Sequence, residues 1–317
     1  MGVSRQILLV KTGGEAAISE WRALFAELAP GLDVRWWDDP GANPDDVNFV
    51  LVWQPEAGRL ARYRNLRVIF SSGAGVDHIT CDPELPADIP IVRMASQETL
   101  RTMGEYVCLA VLAIQRDLLR VIAARAACRW DEFAAQRTAQ QTRVGVMGLG
   151  NIGQTAAHML RALGYQLSGW AQSRKSIADV TSFAGMEELD AFLQQSDILV
   201  GLLPETLNTR HLLDAARLAK LPTGAGVVNA GRGSLIVMPD LIAALDSGHL
   251  SAALLDVFED EPLPASDPLW RHPRILVTCH IAGFASRRAR AEHVARGLNA
   301  YWSGQTLPSV FKLDRGY

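Results

Sequence analysis

The sequence predicts an α/β protein made of two doubly wound, Rossmann-like domains. Three observations predict it. Short apolar, β-rich runs alternate with helical stretches along the whole chain. A glycine-rich turn, VGVMGLGNIG, follows one of these runs and opens a helix near the middle of the chain, not at its start. At 317 residues the chain exceeds one ordinary core and suits two.

QILLV reads as a first strand, and AAISEWRALFAELAPG as an amphipathic helix stopped by Pro30 and Gly31. LDVRWW, NFVLVW, LRVIFS and IPIVR supply further strands before Ser96. A helical pattern then runs unbroken from about Gln97 to Ala127, with one internal glycine, Gly104, and is long enough to cross between domains. The second series has strands at TRVGVMG, YQLSGW, DILVGLL, GAGVVNA, SAALLDV and RILVTC, with helices between them. One of these, MPDLIAALDSG, ends on Gly248 as a C′ glycine should. ASRRARAEHVARGLNAYWSG is a last helix. A central dinucleotide unit implies a split first domain, residues 1–103 with 283–317, and an inserted second domain, residues 104–282. The cleft between two such domains is the natural place for a ligand.

Composition narrows the function classes. The chain is 49% hydrophobic and 21% charged, as in soluble globular proteins. A net charge of −3 offers no basic field for nucleic acid or a membrane surface. Cys81, Cys108, Cys128 and Cys279 lie far apart, with no CxxC pair to indicate a zinc site or disulfide framework. Their spacing fits reduced thiols in a cytoplasmic protein. The apolar run Ile7 to Val10 is too short for a signal peptide or membrane span, and Gln6 stands where a myristoylation signal needs Ser or Thr.

Gly148, Gly150 and Gly153 form GxGxxG between a strand, RVGVM, and a helix, NIGQTAAHMLRALG. In that context the three glycines provide, in turn, a tight bend, close approach of a pyrophosphate to the backbone, and close helix–strand packing. The helix N-terminus adds N–H groups and positive dipole for the phosphates. About 20 residues on, an Asp or Glu ordinarily takes the ribose 2′-hydroxyl of NAD. Here the next strand ends at Trp170, and Ala171 and Gln172 lead to Ser173, Arg174 and Lys175. Nothing there repels a 2′-phosphate, and a hydroxyl with two cations can bind one, so NADPH is expected over NADH.

Three stretches bring polar residues to the carboxyl ends of later strands. VVNAGRGSLI carries Arg232, LLDVFEDEPLP carries several acids, and ILVTCHIAGF carries His280. Arg232 can grip a planar carboxylate and polarise a carbonyl. His280 can give a proton to a carbonyl oxygen as hydride reaches the carbon, with an acid orienting the imidazole. Each also has a plain alternative: a turn-holding Arg, a solvated acidic loop, a strand-end His.

The chain resembles the D-isomer-specific 2-hydroxyacid dehydrogenases along nearly its full length, and most closely their glyoxylate- and hydroxypyruvate-reducing branch. The stretches that carry the resemblance are SSGAGVDHI, VGVMGLGNIG, SRKS, LLPET, NAGRG, LLDVFEDEPLP, PLWRHPRILVT, His280 and the terminal DRGY. The resemblance implies a flavodoxin-like substrate domain with an inserted NAD(P)-binding domain. It implies Arg232, Glu261 and His280 as the catalytic trio, Glu261 being the acid that directly precedes a proline. The amides of Ala74, Gly75 and Val76 would receive the substrate carboxylate, as a glycine-rich turn can. Trp53 resembles an aromatic residue lining the substrate pocket. Further cofactor contacts implied are Asn151 and Ile152 at the helix start, Leu203 and Pro204, Ala230 and Gly231, Asp256 near the carboxamide, and Ala282 with Gly283.

Departures from the family pattern are Cys279 in place of a proline, Gly283 and Phe284 after the histidine, and Met238 with Pro239 in place of a more polar stretch. They leave the chemistry intact and bear on the shape of the pocket. The expected activity is reduction of small 2-keto acids, glyoxylate and hydroxypyruvate, to D-2-hydroxy acids with NADPH. A dehydrogenase for a bulkier 2-keto acid and a non-catalytic dinucleotide sensor stand as alternatives. The resemblance also implies a homodimer, joined through the segment from Gln97 to about Gln141, which includes CRWDEF.

Overall fold

The computed structural model describes residues 6–312, so the terminal DRGY and the first five residues lie outside it. The chain divides into two compact units, residues 1–99 with 285–317, and residues 100–284.

The first unit holds β1 (Ile7–Lys11), α1 (Ile18–Leu28), β2 (Asp33–Trp36), β3 (Val47–Val52), β4 (Val68–Ser71), α2 (Asp77–Thr80) and β5 (Ile91–Val92). All pairings are parallel, in the order β2-β1-β3-β4-β5. This is the flavodoxin-like doubly wound order. Ile7 to Val10 and Phe49 to Val52 are buried on both sheet faces, which is why they read as continuous apolar runs.

α3 (Gln97–Gln115) starts in the last residues of the first unit's leading segment and runs on into the second unit, where α4 (Leu118–Ala126) follows. Then come β6 (Arg143–Met147), α5 (Asn151–Ala162), β7 (Gln166–Ala171), β8 (Val180–Ala184), α6 (Leu189–Leu193) and β9 (Ile198–Gly201). It finishes with α7 (Ala215–Leu218), β10 (Ala225–Asn229), α8 (Met238–Asp246), β11 (Leu250–Leu255) and β12 (Ile275–Val277). Its seven-stranded parallel sheet has the order β12-β11-β10-β9-β6-β7-β8. The order reverses at β6, where the glycine turn sits. Alternate strand residues feed two cores, Met147, Leu199 and Val227 on one face, Val146, Val200 and Val228 on the other. The chain then returns to the first unit as α9 (Arg287–Trp302), whose Ala291, Val294 and Leu298 pack with Trp21 and Phe25 of α1.

Two readings of the sequence change. The helix expected to run unbroken from Gln97 to Ala127 breaks after Gln115. Asp117 takes a left-handed φ of 50°, which a short polar side chain tolerates better than most. The Gln115 amide turns away to donate to the Arg137 carbonyl at 3.1 Å and to accept from Tyr165. A strand not read from the sequence, β8, adds VTSFA to the outer edge of the sheet beside β7. Gly104 explains itself, because a Cβ there would lie 2.4 Å from Met159 Sδ on α5. Among the described residues no helix is long and apolar enough to cross a membrane.

Candidate active site

In the second unit the turn after β6 is built from glycines that admit no substitute, and one that does. Gly148 has a φ of 103°, and a Cβ on Gly153 would lie 1.8 Å from the Gly148 carbonyl oxygen. Those two make the turn and seat α5 against it. Gly150 differs: its φ is −74°, and a Cβ there would meet nothing within 4 Å. Its bareness serves no packing within the protein, which fits a backbone left open for a phosphate. Gly150 is also the N-cap of α5 and supplies no side-chain cap, so the N–H groups of the first turn, including Asn151 and Ile152, are not capped from within. The residues present fit a dinucleotide.

The loops beside this turn are pressed together. A Cβ on Gly231 would lie 2.7 Å from the Leu203 carbonyl oxygen, so the Leu203–Pro204 and Ala230–Gly231 segments touch through bare backbone. Ala230 and Ala282 join Met103 of α3 in a small apolar cluster that Ile152 and Leu202 flank. Met103 went unread in the sequence, because nothing local marks a helical methionine as part of a loop cluster. Gly283 lies half-buried just beyond.

Ser173, Arg174 and Lys175 follow β7, where no carboxylate stands at the strand tip. Arg174 is already engaged. It donates to the Ser182 carbonyl at 2.5 Å and pairs with Glu188, whose other oxygen accepts from the Ala184 amide. The Ala184 hydrogen bond, with Arg174 beside it, holds the Glu188 carboxyl below its ordinary range. An exposed pair of this kind contributes little to stability, so a dianionic phosphate can compete for the guanidinium.

Arg232, Glu261 and His280 come from three separate strand ends. Arg232 follows β10 in a turn tied by Asn229, whose side chain donates to the Arg232 carbonyl at 2.9 Å and accepts from the Gly231 amide at 3.2 Å. Gly233 is bare because the backbone of the acidic loop fills its place: a Cβ would lie 2.0 Å from the Phe258 carbonyl carbon. Glu261 Oε1 accepts from the Phe258 amide at 2.9 Å, and Oε2 meets His280 Nδ1 at 2.7 Å. Burial pushes the Glu261 carboxyl up. The hydrogen bonds from His280 and Phe258, with the charges of His280 and Arg232, outweigh it and hold the group below its ordinary range. Giving Nδ1 to a carboxylate fixes the orientation of the ring and keeps a proton on that nitrogen.

His280 holds a left-handed φ of 54°, an uncommon conformation that costs about 1–3 kcal/mol when imposed at a functional site. Asp256, expected beside the cofactor, supplies the restraint. The His280 amide donates to the Asp256 carbonyl at 2.8 Å. The Asp256 carboxylate accepts from the amides of Ile281 and Ala282, both at 2.9 Å, and from the Thr278 hydroxyl at 2.6 Å. Tyr106 in turn donates to Thr278 at 2.8 Å, and burial pushes its phenol up to about 12. Asp256 is 1% exposed. Its place between β11 and the histidine loop becomes legible only once both strands are paired.

In the first unit the loop 72–77 leaves β4. Among the described residues the amides of Ala74, Gly75 and Val76 donate to no protein acceptor. Trp53, at the end of β3, lies over the loop: a Cβ on Gly73 would lie 2.7 Å from Trp53 Cζ3.

The family model described as the NAD-binding domain of D-isomer-specific 2-hydroxyacid dehydrogenases matches residues 108–282. The chain is 38% identical over 302 residues to glyoxylate/hydroxypyruvate reductase A of Salmonella paratyphi B, covering 94% of this chain and 96% of that protein. Among solved structures, a D-isomer-specific 2-hydroxyacid dehydrogenase from Xanthobacter autotrophicus, in complex with NADPH and MES, is similar with a TM-score of 0.91. It has 37% identity and the match covers 99% of this chain and 100% of that one. The NADPH-dependent glyoxylate/hydroxypyruvate reductase of Sinorhizobium meliloti, in complex with NADP and sulfate, is similar at a TM-score of 0.91 and 35% identity, over 98% and 100% of the two chains. A single fold over the whole length, the matched domain model and the paired His280 and Glu261 agree: this chain belongs to the D-isomer-specific 2-hydroxyacid dehydrogenase family.

Proposed function

We propose that this protein is an NADPH-dependent reductase of small 2-keto acids, taking glyoxylate to glycolate and hydroxypyruvate to D-glycerate. The observation that carries the reading is the 2.7 Å pair between His280 Nδ1 and Glu261, with the charge of Arg232 acting on the same carboxylate. The relatives named above are reductases of these acids or hold NADPH or NADP. When bound, the reduced dinucleotide supplies hydride. The chain's own residues do the rest. The first turn of α5 and the bare Gly150 receive the pyrophosphate. Ser173, Arg174 and Lys175 receive the 2′-phosphate, Arg174 exchanging Glu188 for it. Leu203, Pro204, Ala230, Gly231, Ala282 and Gly283 line the nicotinamide side, and Asp256 holds that wall in place.

Arg232 binds the keto acid and polarises its carbonyl. His280 gives the Nε2 proton to the carbonyl oxygen, and Glu261 keeps the proton on Nδ1 and stabilises the charged ring. The amides of Ala74, Gly75 and Val76 are assigned to the substrate carboxylate, and Trp53 limits the size of the group beyond the carbonyl.

Steady-state turnover of glyoxylate and hydroxypyruvate with NADPH and with NADH tests the reading. Arg174→Ala should raise KM for NADPH by about tenfold, the worth of one charge-assisted hydrogen bond, and leave KM for NADH within twofold. Equal effects on the two cofactors would return this turn to plain surface.

A homodimer is part of the same proposal. Leu109 and Leu112 of α3, Val121 and Ile122 of α4 and Trp130 beyond them are exposed, Leu109 at 61% and Trp130 at 85%. Apolar exposure of that extent on one segment supports an interface there. Light scattering should return twice the chain mass; a monomer at micromolar concentration would refute it.

A further inference from the structure

We propose that His78 is a positioning residue that sets both Trp53 and the amide loop, and so determines affinity for the keto acid. The inference rests on the assignment of the Ala74, Gly75 and Val76 amides to the substrate carboxylate. His78 lies just past that loop, in α2, and both its ring nitrogens are committed. The Gln54 amide donates to Nδ1 at 3.2 Å, and Nε2 meets the Ser71 hydroxyl at 3.2 Å. A ring nitrogen that accepts from an N–H carries no proton, so the proton sits on Nε2 and is donated to Ser71.

The hydroxyl of Ser71 then closes without remainder. It accepts from His78 and from the Gly73 amide at 3.1 Å, and its single proton is shared between the Gly73 and Gly75 carbonyls at 2.9 and 3.1 Å. Those carbonyls point back at Ser71, which turns the following amides the other way. The Gly73 carbonyl also accepts from the Met94 amide at 3.0 Å, so the imidazole, acting through Ser71, shares with that bond the orientation of the loop's peptide groups.

The same ring fixes Trp53. The His78 and Trp53 rings stand 4.2 Å apart at 45°, and the indole rests on the bare Cα of Gly73. The residue after Trp53, Gln54, has a left-handed φ of 47°. Its peptide is held on both sides, the amide by His78 and the carbonyl by Lys11 Nζ at 2.7 Å. Backbone strain of this kind persists only where neighbours over-determine it. Here it aims the tryptophan. Lys11, Gln54, Ser71 and His78 come from four separate stretches, and all converge on the two groups assigned to the substrate.

The test uses full-length wild type, His78→Phe and His78→Asn. Phe keeps a ring beside Trp53 and loses both hydrogen bonds; Asn keeps an acceptor for the Gln54 amide. His78→Phe should raise KM for glyoxylate about tenfold, with kcat and KM for NADPH within about twofold, and His78→Asn should recover most of the loss. Independently of turnover, long-range ¹⁵N–¹H correlation of the wild-type imidazole at neutral pH should show the proton on Nε2 only. An unchanged KM in His78→Phe, a loss shared equally by NADPH, or a ring protonated on Nδ1 would overturn the role of His78. If wild type reduces no 2-keto acid, the functional reading fails, and the spectrum still decides the geometry.

Discussion

Replacing Glu261 by Gln exchanges one oxygen for an NH₂ group and reverses a hydrogen bond. The Phe258 amide donates to one oxygen of Glu261 at 2.9 Å, while the other meets His280 Nδ1 at 2.7 Å. In the variant the amide oxygen must stay with the Phe258 donor, so the NH₂ group is turned toward Nδ1. That nitrogen must then present a lone pair, leaving a neutral ring protonated on Nε2 and a far weaker acid. The lost charge-assisted hydrogen bond alone is worth about 1.5–3 kcal/mol, or about 10- to 150-fold. Loss of the productive protonation state adds to it, up to the whole of general acid catalysis at about 10²–10⁴. We expect kcat for glyoxylate to fall about 10³-fold at neutral pH, with KM for NADPH within twofold. Glu261→Asp keeps the charge but is too short to satisfy Phe258 and His280 together, and should fall between the two. Steady-state kinetics on the three proteins, with NADPH titrated separately by fluorescence, measure this. A loss in Glu261→Gln smaller than about tenfold would mean that the carboxylate neither orients nor charges His280.

Gly150→Ala separates cofactor binding from folding, since a Cβ there meets no protein atom and φ is ordinary. Thermal unfolding should be unchanged while the Kd for NADPH weakens at least about tenfold; unchanged binding would remove Gly150 from the phosphate site. Asp197 gives a pH prediction. Burial pushes its carboxyl up, but hydrogen bonds from Arg143 and Arg137 prevail and bring it from 3.8 to about 2. A depressed carboxylate stabilises above its unfolded pKa and loses that contribution as pH falls through the folded one, which places the window between about pH 4 and pH 2. A shift from 3.8 to about 2 corresponds to about 2 kcal/mol. Asp197→Asn should be less stable than wild type by roughly that amount at pH 7, and urea melts should show the gap closing toward pH 2; a gap independent of pH would refute the pairing.

The glycine turn was legible because each of its requirements is local: a strand before, a helix after and fixed spacing between. The placement of Arg232 and His280 after their strands was legible from residue types, and it took the ordered motifs of the family to pick Glu261, the acid that meets His280, over its neighbours Glu259 and Asp260. What stayed hidden involves partners brought together by the fold. Glu188 reaches Arg174 only because β8, an edge strand with weak β signal, pairs with β7. The His78–Gln54 bond depends on the parallel pairing of β3 and β4 and on a positive φ that no glycine announced. The break at Asp117 went unread because Asp is unremarkable in a helical pattern until its φ is known. Sequence periodicity reports burial, and it carries little about side chains that turn back on their own backbone.

The bare Cα of Gly233 has a consequence for how such a protein can diversify. Its turn and the Phe258–Glu259 backbone are in direct main-chain contact, with no side chain between them to enlarge or trim. The guanidinium-bearing turn and the acid-bearing loop therefore move as one body, and substitutions near either cannot adjust one without the other. On the proposed roles of Arg232 and Glu261, the reaction chemistry is in this sense mechanically frozen. In the first unit, Trp53 rests on Gly73 and is held further by the His78 ring and, through the Gln54 peptide, by Lys11, so side chains contribute to its restraint. On the proposed assignment of Trp53 to the substrate and Arg232 to the reaction, new substrate ranges should accumulate as changes at positions 53, 54 and 78, and changes at positions 231 to 233 should be rare.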